Sequence, residues 1–443
     1  MLSVAYTVGR LKDRTNLGNA QVAGLQKDLK LTPHQYSVCL TITFVPYILI
    51  ELPSNLLIKV MGPHRLIPTL LALWGLVTTL QGFVHNYSSL LVCRFFLGLF
   101  EGGLTPGLVL YLSTFYPRER LQRRVSLVIS TASLAGVFSG LLAASIVKMS
   151  GNAGRPGWAW IFIIEGMVTV LFGIFFFFVM PASPKDCGLL KEDEKEMIMQ
   201  QLRNDGAISA DDSCDQFSWG EVSKALQAPH QLLLNALSFF HGTLLYSVSY
   251  FVPTILLSLG YDHNAAQLMS VPPYAVSFVV TNAASFFADQ YHCRGAVIMF
   301  GGIMCTLGFA MFHGSYRHSV QYGSLFFTIC GANVISPATG TWAANNNSPH
   351  IRRATAIALV PIFANTGGIL STWLMGFISR APRYEKATIV LLVFGICVAL
   401  CSAANVAYLS QQNKKRAAIR AKHAEALERP GLGDRSAWFT YIL

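Results

Sequence analysis

Charge is scarce in this sequence: 12% of its 443 residues are Asp, Glu, Lys or Arg, against about 25% in a soluble globular domain. So few charges leave too little polar surface to cover a water-soluble protein of this size. Paired cysteines are lacking too. None of the nine cysteines forms a CxxC spacing, and Cys39, Cys93, Cys305, Cys330, Cys397 and Cys401 sit inside apolar runs, where a free thiol behaves as a small hydrophobe. That excludes a disulfide framework, a zinc site and dithiol redox chemistry. There is no HExxH, no set of repeated histidine boxes and no Ser or Cys nucleophile beside a base, so a membrane-embedded enzyme has no support and no metal or organic cofactor is implied. HGSYRH, His313–His318, reads as a solvated outer loop. A signal-peptide cleavage pattern is also missing: Arg10, Lys12, Asp13 and Arg14 follow the nine apolar residues at the start.

Apolar sequence is what the chain has in excess. It is 53% hydrophobic, with a mean hydropathy of +0.45. Runs such as Trp158–Met180 and Ala387–Leu409 have the length of about 20 residues that a bilayer core requires of a helix. The chain is therefore expected to be an all-α membrane protein that crosses the bilayer many times. Runs read against breakers place spans at Leu2–Gly24, Tyr36–Val60, Leu66–Val84, Ser88–Tyr116, Val125–Met149 and Ala159–Met180. Six more lie at Gln231–Leu259, Val271–Ala288, Ala296–His313, Gln321–Ala343, Ala354–Ile378 and Ala387–Leu409. The organisation predicted is a first bundle over 1–180, a polar connector over 181–230, a second bundle over 231–410 and a basic tail over 411–443.

The net charge of +11 does not point to nucleic acid, because the basic residues sit in short loops and in the tail from Lys414 to Arg435. That distribution is an orientation signal, and it places both termini in the cytoplasm. The halves also repeat. Arg65 and Arg294 are 229 residues apart, as are the pairs Arg123–Arg124 and Arg352–Arg353. GGLTPG around Pro106 and GANVISP around Pro337 precede the arginine pairs. The small-residue runs ASLAGVFSG and IFANTGG follow them. Several matches at one spacing indicate two related six-helix halves, with a site between them near the midplane.

The stretches DRTNLGNAQVAGL, FVPYILIELPSNLLIKVMGPHRLIP, LWGLVTTLQGFVHNY and RFFLGLFEGGLTPG resemble the fungal branch of the anion:cation symporters, within the major facilitator superfamily. LYSVSYFVPTIL, VPPYAVSFVVT and RRATAIALV do so as well. That branch is similar to allantoate and nicotinate permeases. The resemblance runs over nearly the whole chain. It implies the twelve-helix major facilitator fold and proton-coupled uptake of carboxylates or related anions, without identifying the anion.

A charge at mid-bilayer costs about 2.5–3.5 kcal/mol on insertion scales, so each one needs a reason. Arg94 and Glu101 lie seven residues apart, which puts them on one helix face about 10 Å apart along the axis. In the functional reading the planar Arg94 fork holds a substrate carboxylate and Glu101 carries the proton. In the plainer reading Arg94 reaches toward the interface or pairs with a fixed carboxylate. A seven-residue gap favours function, and the resemblance supports it. The resemblance also implies a helix-1 dyad, with Arg14 on the anion and Asp13 on the proton. Glu51 reads as a structural partner for loop arginines such as Arg65. Tyr47, Tyr246, Tyr250, Asn333 and Asn365 are candidates to line a cavity, each with packing or interfacial anchoring as the alternative. Of these, Tyr47, Tyr250 and Asn365 are taken with Arg94 and Arg14 as the substrate set. The loops GPHR, Gly62–Arg65, and ADQYHCRG, Ala288–Gly295, look like reduced copies of the superfamily's cytoplasmic loop signature. They make Arg65, Asp289 and Arg294 gating residues, although the first copy lacks the acidic member.

The first helix departs from the family pattern. Twelve residues precede Asp13, enough for about 18 Å of helix, and Arg10 and Lys12 interrupt them. The expected partners are a small organic anion, protons and the lipid bilayer. One chain suffices, so a monomer is expected, and the plasma membrane is the expected location. Two alternatives share the fold: a non-transporting nutrient sensor, favoured only by the basic tail and the altered first helix, and a facilitator or exchanger without proton coupling.

Overall fold

The structure, a computed structural model, describes residues 12–116, 154–188, 191–204, 219–348, 350–379 and 384–422, together with single positions between 124 and 151 and the stretch near 434–443. The expected all-α architecture is observed. In the first half α1 runs over Lys12–Val22, α2 over Pro33–Met61, α3 over Pro63–Gln81, α4 over Tyr87–Glu101, α5 over Leu104–Phe115 and α6 over Gly157–Val179. Two short helices, α7 at Glu192–Asn204 and α8 at Trp219–Gln227, occupy the connector. The second half holds α9 at Pro229–Ser258, α10 at Val271–Tyr291, α11 at Arg294–Gly314, α12 at His318–Asn345, α13 at His350–Trp373 and α14 at Glu385–Lys422. The fifth expected span, Val125–Met149, lies almost wholly outside the described residues.

Local chemistry sets the ends. At the start of α2, Thr32 accepts from the Gln35 N–H, and the Gln35 side chain accepts from the Thr32 N–H, with Pro33 in the first helical position. Asn86 and Ser89 make the same reciprocal cap for α4. Between α2 and α3 the chain reverses through Gly62 at φ 77°, a conformation open to glycine at little cost. Along the helix flanks the exposed residues are large and apolar, among them Leu49, Leu171, Phe178, Val279 and Leu400, which suits hydrocarbon rather than water as the surrounding solvent.

The fourth expected span differs from the continuous helix read over Ser88–Tyr116. It is divided at Gly102–Gly103 into α4 and α5. Pro106 has no N–H to return to the Gly102 carbonyl, so the hydrogen-bond ladder fails there. Glu101 therefore sits at the last turn of a half-helix. The last expected span differs in the other direction. α14 continues to Lys422, and its 38 residues make about 57 Å of helix, well beyond a bilayer core of about 30 Å.

The repeat visible in the sequence has a counterpart in packing. A Cβ on Gly166 of α6 would lie 2.8 Å from the Gly75 carbonyl of α3, and a Cβ on Gly302 of α11 would lie 3.0 Å from the Gly395 carbonyl of α14. Gly166 and Gly395 are again 229 residues apart. Small residues here bring backbones together, the usual device where lipid gives helices no hydrophobic reason to associate. Among the described glycines of the first half the tightest approach is at Gly98, where an added Cβ would stand 2.0 Å from the Thr43 carbonyl of α2. Gly98→Ala should force α4 and α2 apart and destabilise the fold by about 1–3 kcal/mol, read as a lower melting temperature of the purified protein.

The halves meet through α1 and α2 on one side and α9 and α13 on the other. The Thr41 and Thr372 hydroxyls are 3.0 Å apart, Ser37 donates to the Thr372 carbonyl at 3.3 Å, and the Thr254 hydroxyl donates to Gln21 at 3.4 Å. His34 meets Trp373 and Phe377 edge-on, where α13 passes into a π-helical turn over Leu374–Ile378. These contacts gather at the end of the bundle where α2 begins.

At the opposite end, α8 is fastened to the second half through Arg352. Glu221 accepts from Arg352 at 2.6 and 3.1 Å and from Lys224 at 2.6 Å. Burial pushes the Glu221 carboxyl up, but these bonds outweigh it and hold the group below its ordinary value. A depressed carboxyl contributes stability above its unfolded value and loses it as pH falls through the folded one. Glu221→Gln should therefore lower the melting temperature by about 1–3 °C near neutral pH, and the difference should vanish in acid.

Candidate functional site

The first half carries buried ionisable groups on neighbouring helices. Arg94 is 2% exposed, and its guanidinium lies 5.7 Å from the centre of the Phe162 ring of α6. Tyr36 of α2 is buried, its hydroxyl donates to the Leu17 carbonyl of α1 at 3.4 Å, and it is within electrostatic reach of both Arg94 and Tyr250. Glu101 is 1% exposed, at the α4 break. The adjacent Gly102 packs on α2, where an added Cβ would lie 2.7 Å from the Tyr47 carbonyl. Tyr47 itself is buried. Arg94, Glu101 and Tyr47 thus belong to one contact between α2 and α4, with Arg94 nearer the end where α2 begins. Glu51, one turn beyond Tyr47, is also fully buried. Arg65, one of the loop arginines expected near it, is exposed at the start of α3, about 15 Å of helix from Glu51.

The second half contributes neutral polar groups. The Tyr246 hydroxyl donates to Asn365 Oδ1 at 2.5 Å, joining α9 to α13. Tyr246 and Tyr250 stack with ring centres 6.2 Å apart, and Phe44 of α2 meets both rings edge-on, at 5.0 and 6.5 Å. Gly368 leaves room for this cluster, since a Cβ there would stand 2.5 Å from Tyr246 and 2.7 Å from Phe44. Asn365 and Tyr250 therefore sit close to the seam between the halves. Asn333 instead caps its own helix turn, donating to the Ile329 carbonyl.

Asp13 and Arg14 lie on the described backbone of α1, but their side chains are outside the described residues. One turn on, Asn16 is fully buried and its amide donates to Glu165 of α6. Glu165 is 2% exposed and follows Phe162 by one turn, which brings it to the level of Arg94. The sequence reading omitted Glu165 and Tyr36. For Glu165 the signal was available: a carboxyl inside the run IFIIEGM falls under the same cost of burying charge that drew attention to Arg94. Nothing in the sequence marked Tyr36, which matters only because α2, α4 and α9 converge on it.

The loop residues separate. Asp289 lies close enough to Arg294 to act on it electrostatically, and the Arg294 guanidinium donates to the Thr341 carbonyl at 3.3 Å. Arg65 stands exposed at the start of α3.

Comparison with known proteins fits this arrangement. Residues 10–352 match the family model of the Major Facilitator Superfamily. The chain is 33% identical to an uncharacterized transporter of Schizosaccharomyces pombe over all of this chain and 88% of that protein. It is 31% identical to an MFS-type transporter of Hormonema carpetanum, over 89% and 79% of the two chains. With the high-affinity nicotinic acid transporter of Saccharomyces cerevisiae it shares 29% identity over 95% and 77%. Among solved structures, a D-xylose-proton symporter superposes with a TM-score of 0.66 at 13% identity, covering 91% of this chain and 96% of that one. The two-bundle fold, the repeat at one spacing and these matches over most of each chain agree that the chain belongs to the Major Facilitator Superfamily, in its fungal permease branch.

Proposed function

We propose that this transporter couples proton entry to uptake of a small organic anion, a carboxylate of the size of nicotinate, pantothenate or allantoate. The observation that carries the reading is Arg94, a guanidinium buried in the first half at the level of the seam and on the same half-helix as the buried Glu101. A fixed cation where charge is expensive suits an anionic cargo, and its planar fork suits a carboxylate. Tyr47, Tyr250 and Asn365 supply hydrogen bonds and ring surface to a flat molecule. Arg14 joins Arg94 in holding the anion, while Asp13 and Glu101 take up and release the proton. Glu101 suits that task because the C-terminal end of a half-helix disfavours a fixed negative charge. The buried Asn16–Glu165 contact ties α1 to α6 and keeps the α1 pair in place.

With both termini cytoplasmic in the plasma membrane, the end where α2 begins, where the halves touch, faces outward. Arg65, Asp289 and Arg294 then lie at the inner face as gating groups. The relative that transports nicotinic acid adds support for the cargo class.

The test is uptake by yeast lacking its own anion permeases, with labelled nicotinate, pantothenate, allantoate, biotin and simple dicarboxylates at acid and neutral external pH. Acid-stimulated uptake of one compound supports the proposal and names the cargo. A surface-located protein that takes up none of them counts against it.

A further inference from the structure

At the end of the second half opposite the start of α2, the described residues between 434 and 443 lie in a socket made by the ends of α9, α11, α12, α13 and α14. Two asparagines grip its backbone. Asn346 accepts from the Ile442 N–H at 2.8 Å and donates to the Ile442 carbonyl at 2.9 Å; Asn413 does the same for Tyr441, at 2.9 and 2.8 Å. The Trp342 indole also donates to the Ile442 carbonyl, at 2.9 Å. Arg416 of the α14 extension donates to the carbonyls of Phe439 and Asp434 and to the Tyr441 hydroxyl, and its guanidinium stands 4.2 Å from the Tyr441 ring centre. Asp434 forms an ion pair with Arg352. Tyr441 and Asp434 are 7% and 3% exposed. Paired amides reading both backbone groups of one residue act as a strand partner would, which is how extended peptides are held.

The socket also covers the gate. Arg352 is shared between Glu221 of the connector and Asp434, so its donors face two carboxylates. The Arg294 N–H donates to the Leu443 carbonyl at 2.8 Å, and Arg294 is buried, whereas its counterpart Arg65 in the first half is exposed.

We propose that this socket is a peptide-binding site whose ligand is the chain's own aromatic segment 434–442, and that its occupation holds this end of the transporter open. The segment covers Arg294 and Arg352, which the first half would have to meet for that end to close. Release of the segment frees both arginines for closure. The inference rests on the gating role proposed for Arg294, but not on the cargo or on proton coupling.

The experiment uses the full chain and a shortened one ending at Lys422, both purified. A labelled synthetic peptide of residues 434–443 should bind the shortened chain saturably, and at least tenfold more weakly when it carries Asn346→Ala and Asn413→Ala. Spin labels on Met61→Cys and Tyr291→Cys, both exposed near this end, report its opening without any cargo. The full chain should show one long separation, the shortened chain a second, shorter one, and the added peptide should restore the first. Should the shortened chain fail to fold, Tyr441→Ala with Asp434→Asn in the full chain takes its place and should populate the shorter separation. A peptide that does not bind, or a distance distribution that ignores loss of the segment, overturns the proposal. Neither result bears on anion uptake.

Discussion

Arg94→Ala should lower uptake by about 100-fold or more while the protein still reaches the membrane. Removing one partner of a buried, hydrogen-bonded charge pair costs about 2–5 kcal/mol, and in this transporter the partner lost to the anion would be its fixed cation. Arg94→Lys keeps the charge but replaces a planar fork with a point charge, so it should recover only part of the activity, with the deficit mainly in apparent affinity. Initial uptake rates across a concentration series, normalised to surface protein, separate the two variants. Normal uptake by Arg94→Ala would remove Arg94 from the site.

Glu101→Gln should disconnect uptake from pH. Glutamine keeps the shape of the side chain at the α4 break but cannot load or release a proton. A gradient of one pH unit is worth about 1.4 kcal/mol, or about tenfold in accumulation, so the variant should lose that concentrating ability. Exchange of labelled for unlabelled anion needs no net proton movement and should survive within about twofold of the parent protein. A variant that still responds to acid would move the proton site elsewhere, and Glu165, buried at the level of Arg94, would be the next to replace.

Much of the fold was legible because a bilayer core demands long apolar helices, and such runs are visible in any sequence. The reading Ala159–Met180 falls on the helix Gly157–Val179, and Ala296–His313 on Arg294–Gly314. The repeat at one spacing anticipated the matching contacts of Gly166 and Gly395. The break after Glu101 was harder to foresee, since the apolar run continues through it and only the absent Pro106 N–H interrupts the ladder. Among the candidate residues, helix periodicity puts Arg94 and Glu101 on one face, and polarity alone marks Tyr47, Tyr250 and Asn365. Tyr36 could not be foreseen, because its importance comes from three helices meeting. The docking of 434–443 could not either: a short aromatic stretch beyond the last apolar run has no period to mark it, and its partners are scattered over five helices.

The central claim is that an anion and a proton move together through this chain. The most direct test is accumulation of a labelled carboxylate by the purified protein in liposomes with an alkaline interior and an acidic exterior. The account predicts uptake to above the external concentration, collapse of that excess when a protonophore is added, and no excess with Glu101→Gln. Uptake that stops at equal concentrations and ignores the gradient would contradict it, leaving a transporter of this fold that facilitates or exchanges its cargo without proton coupling.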